Sequence, residues 1–157
     1  LAFLSEAEMI ETKKLYSRAE DFDQTGWRWP HFTPNELKCD CGKHCAGEYY
    51  HDPKFLDALE KMRGAIGPIK INSGHRCKGH NKAVGGVPNS MHYQSIAVDI
   101  KIAPHNRVEL YESAVKAGFK GMGFGVNFMH LDVGVRRRWT YPGGLVLWKK
   151  ALGFSPI

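Results

Sequence analysis

Two histidines and one aspartate carry the clearest chemical signal in the chain. His92 and Asp99 lie in Ser-Met-His-Tyr-Gln-Ser-Ile-Ala-Val-Asp, residues 90 to 99, and His130 follows about thirty residues later in Phe-Met-His-Leu-Asp-Val-Gly. Two neutral imidazoles and a carboxylate fill three corners of a tetrahedral zinc and leave the fourth open to water. That is the arrangement of a catalytic rather than a structural ion. Spacing alone leaves a second reading open, because the chain holds eight histidines and such a trio is common by chance.

The elements that must position these residues can be read from periodicity. From Ile96 to Ile102 every second residue is apolar, which predicts a strand with Asp99 turned away from the apolar face. From Phe128 to Val133 a second strand places Phe128, His130 and Asp132 on one face. A short strand over Pro68 to Asn72 delivers Ser73 to Arg76 toward the same place, and a Gly-Pro-Asn loop over 85 to 89 carries His92. Helices are expected from Ser5 to Tyr16, after Thr33, from Pro53 to about Arg63, from Lys78 to Ala83 and from Pro104 to Ala117, with Gly118 as the last stop. Leu56, Leu59 and Met62 recur at helical spacing and should face the core. The aromatic tail of Trp139, Tyr141, Trp148 and Phe154 reads as core closure before substrate stacking.

A longer block, Ile-Asn-Ser-Gly-His-Arg-Cys-Lys-Gly-His-Asn-Lys-Ala-Val-Gly-Gly-Val-Pro-Asn-Ser-Met-His over 71 to 92, adds a family likeness. With Ala97-Val98-Asp99 and His130-Leu131-Asp132, it resembles the zinc D-Ala-D-Ala carboxypeptidase family of cell-wall metallopeptidases, especially its phage-endolysin and murein-endopeptidase branches. The resemblance covers roughly residues 32 to 140. It implies an α+β fold with a small central antiparallel sheet carrying the zinc site, flanked by helices in the hedgehog and D-Ala-D-Ala-peptidase manner. It also implies one catalytic Zn2+ on His92, Asp99 and His130, and hydrolysis of an amide bond in the stems or cross-links of peptidoglycan. An endolysin-type endopeptidase is the first reading; a D-Ala-D-Ala carboxypeptidase and a non-catalytic zinc-containing binding module are the alternatives.

Arg76 matches the family arginine that holds a substrate carboxylate or carbonyl, with an internal salt bridge as its structural alternative. Ser90 stands two residues before the first ligand and is assigned to substrate binding or to shaping the loop. Several family branches carry an acidic residue three positions before the last histidine ligand, where this chain has Asn127. Asp132 is the nearest replacement as general base, or else a brace for a ligand. His75 stands where relatives commonly have tyrosine, and Ser95 where many have glycine.

Composition sets the outer bounds. The 157 residues suffice for one globular unit, with residues 1–31 as a helical extension and loop and 32–157 as the peptidase domain. The formal charge of +6 favours anionic polymers such as wall components. Apart from the runs Arg136-Arg137-Arg138 and Lys149-Lys150 the basic residues are scattered, and no nucleic-acid signature accompanies them, so nucleic acid is not expected as a partner. No apolar run reaches spanning length and no signal peptide is seen. The expectation is a monomer, made in a host cytoplasm, released at lysis and acting on the wall from periplasm or exterior without membrane insertion. Cys39, Cys41, Cys45 and Cys77 are open to disulfides, free thiols or a structural zinc, with a structural tie between Cys77 and the 39-to-45 loop favoured. His80 is read as structural, and His31, His44, His51 and His105 as surface or loop residues.

Overall fold

Side-chain caps fix most helix starts in the computed structural model, which describes residues 4–157. The Ser5 hydroxyl accepts from the Glu8 amide while the Glu8 carboxylate accepts from the Ser5 amide, opening α1 (Glu6–Glu11). Thr33 caps α2 (Pro34–Leu37), and Asp52 accepts from the Lys54 and Phe55 amides to open α3 (Pro53–Ile66). The first helix is shorter than expected. Three and four residues after Met9 stand Thr12 and Lys13, so the apolar face breaks there. Lys14–Tyr16 instead forms β1, antiparallel to β2 (Tyr49–His51).

Around this two-stranded ribbon, Tyr16, Phe22, Trp27, Trp29, Tyr49 and His51 form an aromatic cluster, edge-to-face in most pairs and stacked between Phe22 and His51. The Trp29 indole donates to Asp57 on α3 (2.8 Å), so residues 4–31 share one hydrophobic core with the rest of the chain. Residues 1–3 of the expected extension lie outside the described residues. His51 is fully buried here, not a surface residue, because its ring nitrogens meet the Tyr49 hydroxyl (2.8 Å) and the Ile10 carbonyl (2.7 Å).

The main sheet has five strands in the order β3 (Ile71–Ser73), β4 (Val98–Lys101), β6 (Phe128–Asp132), β5 (Gly121–Phe124), β7 (Arg137–Thr140). Four are antiparallel, but β7 runs parallel to β5, so the sheet is mixed rather than antiparallel throughout. The reason is topological. Both edges of β6 are occupied by β4 and β5, so the chain leaving β6 turns back and pairs with the free edge of β5, antiparallel to β6 and therefore parallel to β5.

Strand alternation then sorts the two faces. Val98, Ile100, Met122, Phe124, Met129 and Leu131 are fully buried in the core, together with Leu56, Leu59 and Met62 of α3 and Leu110 of α6 (Arg107–Ala117). The opposite face carries Asp99 and His130 in the two central strands. Between β3 and β4 lie α4 (Lys78–Ala83) and α5 (Met91–Gln94), and the chain ends in α7 (Gly144–Leu152), which the sequence reading did not include. On α7 the buried Trp148 donates its indole N–H to the Gly125 carbonyl (2.8 Å). No helix among the described residues is long and apolar enough to cross a membrane.

Candidate metal centre and its cleft

Backbone register brings the three expected ligands together. Asp99 on β4 pairs directly with His130 on β6, and Ser73 on β3 pairs with Asp99. His92 arrives from α5, whose first turn is set by the Ser90 hydroxyl accepting from the His92 amide (3.2 Å). It therefore sits on a short capped helix and not on the preceding loop.

His92 Nε2, Asp99 Oδ1 and His130 Nδ1 form a triangle with edges of 3.1, 3.2 and 3.3 Å. A tetrahedral ion with nitrogen and oxygen ligands at about 2.0–2.1 Å would space its ligand atoms about 3.3 Å apart. The donor set and its spacing fit a zinc-sized ion, which His92, Asp99 and His130 would hold at the floor of a shared cleft.

The far end of each imidazole is also fixed. His92 Nδ1 donates to the Gly74 carbonyl (2.7 Å), and His130 Nε2 donates to Asp132 Oδ2 (2.6 Å). These bonds select the tautomers that turn His92 Nε2 and His130 Nδ1, as lone pairs, into the triangle. The two rings feel opposite fields. Burial holds His92 below its usual value, whereas at His130 burial is outweighed by the neighbouring carboxylates of Asp132 and Asp99, which raise it. Burial would raise Asp99, but its contacts with the His130 and His92 rings hold it well below the ordinary carboxylate range.

Asp132 departs from its expected place. It is fully buried and does not line the cleft. Its carboxylate accepts from His130, from the Arg137 guanidinium (2.6 and 3.3 Å) and from the Gly134 amide (3.0 Å). It meets the nitrogen of His130 that points away from the triangle, so the His130 ring separates it from the triangle. Gly121, opposite Asp132 across the strands, has no room for a Cβ because the carboxylate fills that space. Arg76 does reach the site. Its guanidinium donates to Asp99 Oδ2 (3.1 Å) and to the Ser73 hydroxyl (3.1 Å), leaving Asp99 Oδ1 for the triangle.

The triangle opens into a cleft of about 700 Å³. One wall is the 85–91 segment with Ser90 and Met91. The other is β7 and its exit, with Arg137, Arg138, Trp139 and Tyr141. The aromatic tail thus divides. Trp148 closes the core, whereas Trp139 and Tyr141 face the cleft, with the Trp139 ring 4.9 Å from that of His130. Gly123 makes this possible, since a Cβ there would strike the Trp139 indole at 2.7 Å. The alternation Arg137, Trp139, Tyr141 was the available sequence signal for this strand. Asn127, three residues before His130, lies at the mouth of a separate depression with Lys70, Asn72 and Lys101. Among the described residues that line the cleft, Asp99 is the only carboxylate.

A family model described as Peptidase M15 matches residues 30–132, about two thirds of the chain. No curated protein matches it.

Proposed function

Because the chain belongs to the peptidase M15 family, we propose that it is a zinc-dependent peptidase cutting an amide bond in the peptide stems or cross-links of peptidoglycan. The observation that carries this reading is the triangle of His92, Asp99 and His130 donor atoms, spaced as a tetrahedral ion requires and open to one cleft. An ion held there supplies Lewis-acid polarisation of the scissile carbonyl and activation of water. The protein's own groups do the rest. Gly74 and Asp132 hold the two rings in the ligating tautomers, and Arg76 orients Asp99. Burial raises the Tyr141 hydroxyl above its usual value, so it stays a neutral donor facing the cleft. Trp139 and Phe128 offer apolar walls to the cleft, beside Arg137, whose charge is paired with Asp132.

Two details refine the reading. Arg76, on which recognition of a terminal carboxylate would rest, is engaged by Asp99 and Ser73, which speaks for an internal peptide bond and an endopeptidase. The cleft wall that includes Arg137, Trp139 and Tyr141 lies beyond the residues the family match covers, so the match by itself leaves the choice of bond open. A second reading, a zinc-containing binding module without turnover, is favoured by one observation. No carboxylate other than Asp99 lines the cleft among the described residues to take up the proton from water.

Digestion of purified peptidoglycan by zinc-loaded and chelated protein, followed by mass spectrometry, separates these readings. New amine termini that disappear on chelation, and that His130→Ala does not produce, are the expected result. Cleaved cross-links or stems identify an endopeptidase, and release of free D-alanine alone a carboxypeptidase. Folded, zinc-loaded protein that binds walls of several chemotypes and releases nothing would leave the binding module as the account.

A further inference from the structure

Away from the cleft the fold collects all four cysteines of the chain. Cys39, Cys41 and Cys45 come from the segment between α2 and β2, and Cys77 is the N-cap residue of α4. Their four sulfur atoms lie within 4.8 Å of one another, and all four are free thiols. Cys41 Sγ is 3.8 Å from Cys45 Sγ and 3.9 Å from Cys77 Sγ. A disulfide requires about 2.05 Å. A tetrahedral ion with four sulfur ligands at about 2.3 Å would hold them about 3.8 Å apart. The sulfurs are therefore arranged around a common centre and not in two pairs.

Each sulfur also has a nitrogen neighbour. The amides of His44, Glu48 and His80 donate to Cys41, Cys45 and Cys77 (3.3, 3.4 and 3.4 Å), and His80 Nδ1 lies 3.3 Å from Cys39 Sγ. Amide donors directed at sulfur favour thiolates, which are the ligating form. Cys39 and Cys77 are buried and Cys41 and Cys45 half-buried, so the cluster has little room for a fifth ligand.

We propose that Cys39, Cys41, Cys45 and Cys77 form a second metal site, a closed tetrahedral thiolate site for a soft divalent ion of the zinc class. Four protein ligands leave no open corner, so its role is structural. It ties the 39–45 loop to the residue that follows Arg76. The same loop region meets this segment elsewhere: the His75 amide donates to the Leu37 carbonyl (3.0 Å), and Glu48 pairs with His75 Nε2 (2.7 Å). A Cβ on Gly74 would strike the Leu37 carbonyl, so the two backbones run in direct contact. The segment held in this way contains Gly74 and Arg76, which orient His92 and Asp99.

The test needs no peptidase activity. Full-length His92→Ala/His130→Ala protein, purified from zinc-supplemented cells without chelator, is assayed for zinc content and by zinc-edge X-ray absorption. The expected result is one zinc per chain with an all-sulfur shell at about 2.3 Å, against two zincs in the unmodified chain. Cys41→Ser/Cys45→Ser should lose the sulfur shell and keep the zinc bound by nitrogen and oxygen. If that variant fails to fold, the histidine variant still decides the matter. Zinc-free histidine variant, a shell of nitrogen and oxygen only, or freshly isolated protein whose mass shows two disulfides would each overturn the proposal.

Discussion

The two donor clusters differ in chemistry, in mounting and in openness. His92, Asp99 and His130 are hard or borderline donors, two of them on paired central strands, and they open on a cleft. The four cysteines are soft donors on a loop and a helix start, with no corner left over. Strands deliver two ligands by register alone, since Asp99 and His130 are direct cross-strand partners on one face. The loop has no such register, and its links to α4 run through the sulfurs of Cys39 and Cys41. On the roles proposed above, the site for chemistry stands on paired strands and the site that only holds stands on a loop and a helix start.

Asp132→Asn tests the first half of this contrast with the largest expected effect. A carboxylate that orients His130 from behind should, when replaced, weaken zinc binding at this site by about 10–100-fold. Activity should then return in large part at saturating zinc, while the cysteine site keeps its ion. Metal titration of both sites alongside peptidoglycan turnover makes the measurement. Full zinc occupancy with turnover still abolished would instead return Asp132 to the role of general base.

Glu48→Ala probes the bridge between the clusters. The Glu48 amide donates to Cys45 of one cluster, and its carboxylate meets the buried His75, which stands between Gly74 and Arg76, the residues that hold His92 and Asp99 of the other. Removing the carboxylate leaves a buried ring nitrogen of His75 without its partner, which costs about 1–3 kcal/mol. Chemical denaturation should show that loss with both ions retained. Loss of either ion would mean that the clusters are one cooperative unit and not two sites on different supports.

The contrast was only half legible in the sequence. Asp99 and His130 could be placed on one face because alternation in Ile96 to Ile102 and Phe128 to Val133 is a local signal, and α3 and α4 declared themselves through Asp52, Pro53 and their flanking residues. The neighbour of β7 was not readable. Its parallel pairing follows from which sheet edge remained free, a property of the whole topology. For the same reason Arg137 passed as part of a basic run and Trp139 as core. Asp132 was placed on the correct strand face, but which nitrogen of His130 it meets depends on side-chain rotation that no periodicity encodes. The cysteines could be counted but not grouped, since Cys77 joins the others only through tertiary contact.

His51 sharpens the contrast from outside both clusters. His130, between two carboxylates, is pushed toward the protonated form, whereas His51 stacks on Phe22 (4.5 Å) in an aromatic setting and is pushed the other way. Burial there disfavours charge and lowers its pKa from the ordinary 6.5. The sign follows from proton counting. Below pH 6.5 the unfolded chain binds a proton at this residue that the folded chain resists, so folding stability falls as pH drops from 6.5 toward the lowered folded value. One such proton contributes a slope of at most about 1.4 kcal/mol per pH unit. His51→Gln, which can keep a donor toward the Ile10 carbonyl, should flatten the pH dependence of denaturation below pH 6.5 by up to that amount. It should leave zinc binding and wall cleavage unchanged. An unaltered slope would mean that His51 titrates alike in both states, and that exclusion of charge from the aromatic cluster does not set the acid limb of stability.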